Sequence, residues 1–421
     1  MSSDVESQLP VPTRAAGLER LAAFLPQAGR AYAKGRNQYG AAGSRQAVSG
    51  LSPWLRHRLV TETEVLEAVL REHTRNEASK FIEELFWRGY FKGYLEAHPS
   101  VWTDYVRMVS MLQGGLRRAG RLADEHAVAT QGVTGIDCFD AWVSELRDTG
   151  YLHNHARMCF ASIWIFTLRL PWQLGADFTL RHFIDGDAAA NTLSWRWVAG
   201  LHTRGKHYLA RPEAIAACSA GRFAPQGLVI DAEPLVENAT HALTAVPSVP
   251  TAPPSGRFAL LLTEEDLHPE SLPIDPRQLV GIAGAAGVAS RSPCGVSPKV
   301  QDFTDAALED GLERAGAHFG HAAERLRGLE GDSIAEWAER IGAQVILTPQ
   351  APMGPVEACL ADAAHWLAMR GLRLQPLRRS HDALLWPHAT RGFFELRDRI
   401  PQILAAMDLK TGRPRQGEFL L

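Results

Sequence analysis

Apolar residues recur at helical spacing through residues 60–200, then give way after residue 256 to short apolar runs alternating with helical text. "TETEVLEAVLREHT" opens with a capping-box pattern and continues with apolar residues three and four apart. "NEASKFIEELFWRGYFKGYLEAHP" predicts a long amphipathic helix that stops at His98-Pro99. Further helices are expected at "DCFDAWVSELRDTG", "HNHARMCFASIWIFTLRL" and "GADFTLRHFI". Later, "RFALLLTEEDL" reads as a buried strand ending in a polar turn. "DSIAEWAERIGAQVILTP" and "VEACLADAAHWLAMRGLRLQPL" each read as helix, glycine stop, strand. That alternation predicts a parallel sheet with crossover helices. Between the two patterns, "PLVENATHALTAVPSVPTAPPSG" has the composition of a linker. The expected order is an N-terminal extension (1–29), an all-helical domain (30–233), a Pro-rich linker (234–256) and a smaller α/β domain (257–421).

Composition narrows the class. Hydrophobic and charged fractions of 46% and 22% are those of a soluble globular protein. A net charge of −3 leaves no whole-chain footprint for nucleic acid, so any such site must be a local basic patch. No apolar run is long enough to span a bilayer, and "MSSDVESQLPVPTRAAG" lacks a signal-peptide core. Cys138, Cys159, Cys218, Cys294 and Cys359 form no C-x-x-C pair and fit reduced thiols. A cytoplasmic monomer without a metal is the expectation. Neither G-x-G-x-x-G nor a P-loop string occurs, which leaves a nucleotide site in the α/β half unsupported.

Eight of the eleven tryptophans precede residue 200, a costly choice for plain core filling because each indole N–H needs a partner when buried. "DGDAAANTLSWRW" is the densest such stretch. As a helix it aligns Asp187, Asn191 and Trp195 on one face; as an EF-hand loop it fails, with Ala at the sixth position. In "HNHARM", Asn154, Arg157 and Met158 share a face, and the Asp pair at 185 and 187 is the candidate acid for Arg157. In "EELFWRGYF", Glu84, Trp87 and Arg88 share another. A structural ion pair or plain packing would explain any one of these clusters; three in one domain point to a pocket. Ser49 and Ser52 flank the approach to a helix start at Pro53, either as a simple cap or as a phosphate seat.

These residues match motifs in a family's order. The helical domain, over roughly residues 30–215, resembles the FAD-binding domain of the photolyase/cryptochrome family. The family's "TSxLSPYL" stands here as "VSGLSPWL", with Val48 where threonine is usual. "NELIWREFY" stands as "EELFWRGYF", "TGWMHNRxRM" as "TGYLHNHARM", and "DGDxAxNxGxWQW" as "DGDAAANTLSWRW". The resemblance implies a U-shaped FAD held by Tyr32, Arg36, Ser49, Leu51, Ser52, Arg88, Arg157, Asp185, Asp187 and Asn191. Arg157 would pair with Asp185, and Asn191 would face flavin N5. Trp195 and then Trp172 would carry electrons. The third, surface tryptophan falls near Ala129 and is missing, with Trp164 or Trp142 as candidate substitutes.

The "HN…RM" form is similar to that of cyclobutane-dimer photolyases. Glu84, Asn154 and Met158 would then meet a pyrimidine dimer in UV-damaged DNA, sandwiched between Trp87 and Trp197. Arg204, Lys206 and Arg211 would bind phosphates, and His155, standing where the family has a DNA-contacting arginine, would contact DNA in its place. The family's α/β domain normally comes first, so a Rossmann-like domain at the C-terminus implies a circular permutation. The antenna chromophore is unknown. The implied activity is light-driven, FAD-dependent repair (a deoxyribodipyrimidine photolyase); the alternative is a cryptochrome-like photoreceptor.

Overall fold

The computed structural model describes residues 9–39 and 48–409. Its helical part runs α1 (Arg14–Phe24), α2 (Arg30–Gly35), α3 (Ser52–Arg56), α4 (Glu62–Glu72), α5 (Ser79–Ala97) and α6 (Pro99–Leu116). It continues α7 (Arg121–Gln131), α8 (Asp137–Thr149), α9 (Asn154–Ser162), α10 (Trp172–His182), α11 (Ala188–Ala199) and α12 (Pro212–Cys218). Local chemistry sets the boundaries. Thr61 and Glu64 close the expected capping box on α4. α5 stops at Ala97, because Pro99 biases His98 away from helical geometry. α11 starts from an Asp187 side chain that accepts the Ala190 N–H, and ends at Gly200 in the left-handed region.

The α/β part contains β1 (Phe258–Leu262), β2 (Leu279–Gly284), α13 (Pro298–Phe319), β3 (Ala323–Arg325), α14 (Gly331–Arg340), β4 (Val345–Pro349), α15 (Pro355–Met369) and β5 (Arg373–Leu377). The strands are parallel in the order β3-β2-β1-β4-β5. β1 and β4 lie where the sequence pattern put them; β2 and β3 did not stand out in it. All five residues of β1 are buried, as a strand covered on both faces must be. Phe258, Leu260 and Leu262 join a core with α1, α4 and α5, while Ala259 and Leu261 face α14 and α15. Three short helices follow β5: α16 (Ser380–Leu385), α17 (Phe393–Arg397) and α18 (Ile400–Ala406). They pack back on α5, where Gly93 lets the Trp386 backbone and the Ala389 side chain approach; a Cβ there would lie 2.8 Å from the Ala389 Cβ.

Residues 234–256 hold no helix or strand, yet the segment is fastened along its length. Leu235 N–H donates to Ala199 O (2.9 Å), Thr244 N–H to Ala97 O (2.8 Å), and Arg378 N–H to Pro250 O (2.8 Å). It is a strap rather than a free spacer.

The C-terminal ends of β1, β2 and β4 all meet the helical part. In an open parallel sheet this edge, at the point where strand order reverses, is the usual ligand crevice. Here Arg56 and Arg58 fill it. Arg56 makes a bidentate pair with Glu265 (2.7 and 2.6 Å) and donates Nε–H to Gly186 O (2.7 Å). Arg58 reaches Asp382 (2.7 Å), Asp266 (3.3 Å) and Glu62 (3.3 Å). Its backbone is left-handed (φ 49°), a strained state for a non-glycine residue that these three carboxylates hold in place.

Candidate functional site

The Asp185–Asp187 turn gathers most of the residues that the motifs single out. Arg157 from α9 donates to both Asp185 oxygens (2.9 and 3.1 Å), and its guanidinium lies 3.9 Å from the Phe183 ring centroid. Burial alone would raise the Asp185 carboxyl; the Arg157 charge and hydrogen bonds from Arg157 and Ser52 bring it below its ordinary value. Asp187, besides capping α11, sits 3.6 Å from both Arg88 Nη1 and Lys92 Nζ. Those two cations and Arg56 overcome its burial and keep it ionised far into acid. Arg88 also donates to Ser52 O (3.3 Å), which ties α5 to the start of α3. Glu84, Arg88 and Lys92 therefore run along one side of α5 at four-residue spacing.

On α11 the next turn carries Asn191, whose amide donates to Ala176 O (2.8 Å) and accepts from the Thr179 hydroxyl (2.9 Å). One turn further, Trp195 Nε1–H donates to the same hydroxyl (3.1 Å). The alignment of Asp187, Asn191 and Trp195 thus follows from helical phase, but α10 fixes their side chains. Gly175 makes this closeness feasible: a Cβ there would fall 2.3 Å from Trp195 and 2.8 Å from Trp164.

The loop before α3 places Gly50 at φ 64°, and Ser49 Oγ accepts the Leu51 N–H (3.3 Å). Leu51 is fully buried, and Tyr32 packs edge-on to Phe24 and Phe81. Val48 and Ser49 carbonyls are held by Arg20. Arg36 forms an ion pair with Glu84. Burial raises the Glu84 carboxyl, and Arg36 opposes that rise.

The residues expected at the lesion are spread along the outer side of this group. Asn154 is exposed, and Met158 and Trp197 are half-buried. Trp197 lies 6.0 Å from Tyr208, nearly parallel to it. Trp87 is half-buried but one face is taken: Phe393 of α17 stacks on it at 3.8 Å and 11°. A sandwich with Trp197 is therefore confined to the other face. Arg204, Lys206 and Arg211 are exposed, as phosphate contacts must be.

Two expectations need correction. His155 does not face outward. It is 9% exposed, with Nε2 3.5 Å from the Tyr208 hydroxyl and Nδ1 3.8 Å from Cys159 Sγ, and burial lowers its pKa. A neutral, enclosed imidazole cannot serve a DNA phosphate. Trp164 and Trp142 are also unsuited to replace the missing surface tryptophan, being 0% and 1% exposed. The ring that stacks on Trp172 is Tyr105, at 5.7 Å and 23°, and Trp102 follows at 5.3 Å. Both lie on α6, and no motif marks them. Tyr105 and Trp172 line a cleft of about 910 Å³ with Arg196 and Glu237, whose ion pair joins α11 to the strap.

Sequence reasoning also missed Thr179, Lys92 and Phe393. Lys92 alone had a readable signal, one turn beyond Arg88 on the same helix face.

Residues 81–227 match the family model described as the FAD binding domain of DNA photolyase. The deoxyribodipyrimidine photo-lyase of Streptomyces griseus is 34% identical over 158 residues, covering 37% of this chain and 33% of that protein. The Escherichia coli K12 enzyme of the same name is 32% identical over 173 residues, covering 38% and 33%. A crystal structure of a bacterial class III photolyase from Agrobacterium tumefaciens aligns with a TM-score of 0.41 and 24% identity, over 49% of this chain and 43% of that one. The chain spans about a third of the length of these curated relatives. Through its helical part, the chain is similar to the FAD binding domain of DNA photolyases.

Proposed function

We propose that this protein is a light-driven, FAD-dependent enzyme that splits cyclobutane pyrimidine dimers in UV-damaged DNA. The observation that carries the reading is the linked set Arg157–Asp185, Asp187 and Asn191–Thr179–Trp195, with Glu84, Asn154, Met158, Trp87 and Trp197 around it. The residues fit the cofactor: Arg88 Nη1 and Lys92 Nζ are buried donors with no hydrogen-bond partner among the described residues. Such donors suit an anionic, oxygen-rich ligand. Tyr32, Arg36, Ser49, Leu51 and Ser52 would hold FAD on one side, and Arg157, Asp185, Asp187 and Asn191 on the other. When bound and reduced, FAD supplies on illumination the electron that opens the cyclobutane ring, and takes it back.

The chain's own residues do the rest. The Arg157–Asp185 pair would keep a fixed dipole beside the cofactor, and Asn191 would present an amide whose orientation α10 sets. Trp195 and Trp172 would return the cofactor to its reduced form. Glu84, whose pKa burial raises, can donate a hydrogen bond from a protonated carboxyl to a base carbonyl once Arg36 releases it. Asn154 and Met158 shape the lesion pocket. Trp197 and the free face of Trp87 would replace the stacking a flipped dinucleotide loses, and Arg204, Lys206 and Arg211 would take phosphates. Incubating the reduced, flavin-loaded protein with a dimer-containing oligonucleotide under blue light tests the reading. Dimers should disappear only in the light; dimers that persist would sink it.

A cryptochrome-like photoreceptor is the second reading. Glu84 committed to Arg36 and Trp87 covered by Phe393 favour it. It predicts flavin photoreduction through Trp195 and Trp172 with no loss of dimers.

A further inference from the structure

Arg291 lies in the connection between β2 and α13. It is 5% exposed, and none of its three guanidinium nitrogens has a hydrogen-bond partner among the described residues. The nearest acids, Glu264, Glu265 and Asp187, act on it only through space. Glu265 is engaged by Arg56, and Glu264 Oε2 by the Gly287 N–H (2.8 Å). Burial and the neighbouring Glu265 raise the Glu264 carboxyl, so it offsets Arg291 poorly.

The residue is not adrift. The flanking loop is fastened to α10 by a Ser292–Asp177 hydrogen bond, by Arg181 Nε–H to Gly295 O (3.0 Å) and by Ser297 N–H to Arg181 O (2.9 Å). Arg291 Nη1 abuts Gly186, where a Cβ would come within 3.3 Å of it. Next in the chain, Asp187 sits 3.6 Å from Arg88 Nη1 and Lys92 Nζ, neither of which has a hydrogen-bond partner among the described residues. A buried guanidinium with no partner costs stability, and its removal would ordinarily be favourable unless something answers the charge. Arg88 and Lys92 flank the Asp187 carboxylate and Arg291 abuts the residue before it, so three cations with orphaned nitrogens gather at this turn and leave positive charge to spare. A single carboxylate ligand would engage two of those nitrogens, whereas a diphosphate has oxygens for all of them.

We propose that Arg291, contributed by the α/β part, completes with Arg88 and Lys92 an anion site for the diphosphate of the dinucleotide cofactor, so that both parts of the chain close the pocket. This rests on the flavin reading above. The Arg88 bond to Ser52 O places the same cations beside the serine loop. The α/β part would then serve the site directly, whether or not it carries a chromophore of its own.

The test compares the full-length protein, freed of flavin, with Arg291→Met and Arg291→Gln, using FAD, riboflavin and inorganic pyrophosphate as ligands. Both variants should bind FAD and pyrophosphate about tenfold or more weakly, with riboflavin affinity unchanged. The ligand-free Met variant should melt at a higher temperature than the ligand-free parent, because an unanswered buried charge is gone. Arg291→Lys should recover part of the pyrophosphate affinity. Unchanged FAD and pyrophosphate affinity in the variants would overturn the proposal, as would an equal loss for riboflavin. A parent that binds pyrophosphate through Arg291 but takes up no flavin would keep the anion site and remove the flavin reading. A parent that binds FAD regardless of Arg291 would do the reverse.

Discussion

Asn191 and Trp195 are tied to one hydroxyl: Thr179 Oγ1 donates to Asn191 Oδ1 at 2.9 Å and accepts the Trp195 Nε1–H at 3.1 Å. The amide proposed to face the flavin and the indole proposed to feed it electrons therefore share a support on α10. Thr179→Val keeps the shape and removes that support, leaving the buried indole N–H without an acceptor. A loss of about 1–3 kcal/mol in urea unfolding is expected. In flavin-loaded protein, photoreduction should slow as Asn191 and Trp195 lose register, measured by bleaching of the oxidised flavin band under blue light.

Phe393 stacks on Trp87 at 3.8 Å and holds its ring from the side opposite the face proposed for the dimer. Phe393→Leu keeps apolar bulk but not the stack, which is worth about 0.5–1.5 kcal/mol. Dimer-containing DNA should bind roughly three- to tenfold more weakly in a gel-shift titration as Trp87 loosens. Tighter binding would mean instead that Phe393 competes with the lesion for Trp87.

Glu96, at the end of α5, accepts the Met353 N–H (2.8 Å) from the loop after β4, and burial pushes its pKa up to about 7. The folded state then holds this proton more tightly than the unfolded chain, whose glutamate titrates near 4.5. Its favourable contribution is full below the unfolded value and is lost as pH rises to about 7, at about 1.4 kcal/mol per unit. Melting temperature against pH should fall through that window, and Glu96→Gln should flatten the fall.

Arg56 and Glu265 bridge the two parts of the chain, with side chains 2% and 7% exposed. Glu265→Ala strands a buried guanidinium and should cost about 3–5 kcal/mol in denaturant unfolding. Pairing Glu265→Ala with Arg56→Met should recover much of that loss. If it does not, Arg56 matters chiefly through its bond to Gly186 O.

The sequence determined most of what is local. Helical periodicity, the Thr61–Glu64 capping box and the His98-Pro99 stop place α4 and α5. The apolar runs at 258–262 and 345–349 place the central strand β1 and its neighbour β4, whose largely buried residues leave no polar alternation to misread. Helical phase put Asp187, Asn191 and Trp195 in line, and the Arg157–Asp185 pair joins residues already adjacent in the motif pattern. Partners supplied by distant segments were decided only by the tertiary structure. β3 has three residues, too few for any pattern to register, and β2 is interrupted by Gly281 and ends on Gly284. Thr179, Phe393, Tyr105 and Arg291 carry no motif, because each acts by meeting a residue from another element, across 12 positions from Thr179 to Asn191 and across about three hundred from Trp87 to Phe393. His155 shows the same limit from the other side. Its place in a motif suggested an outward contact, and packing against Tyr208 and Cys159 turned it inward. Spacing along the chain fixes which side chains share a face; only packing fixes what that face meets.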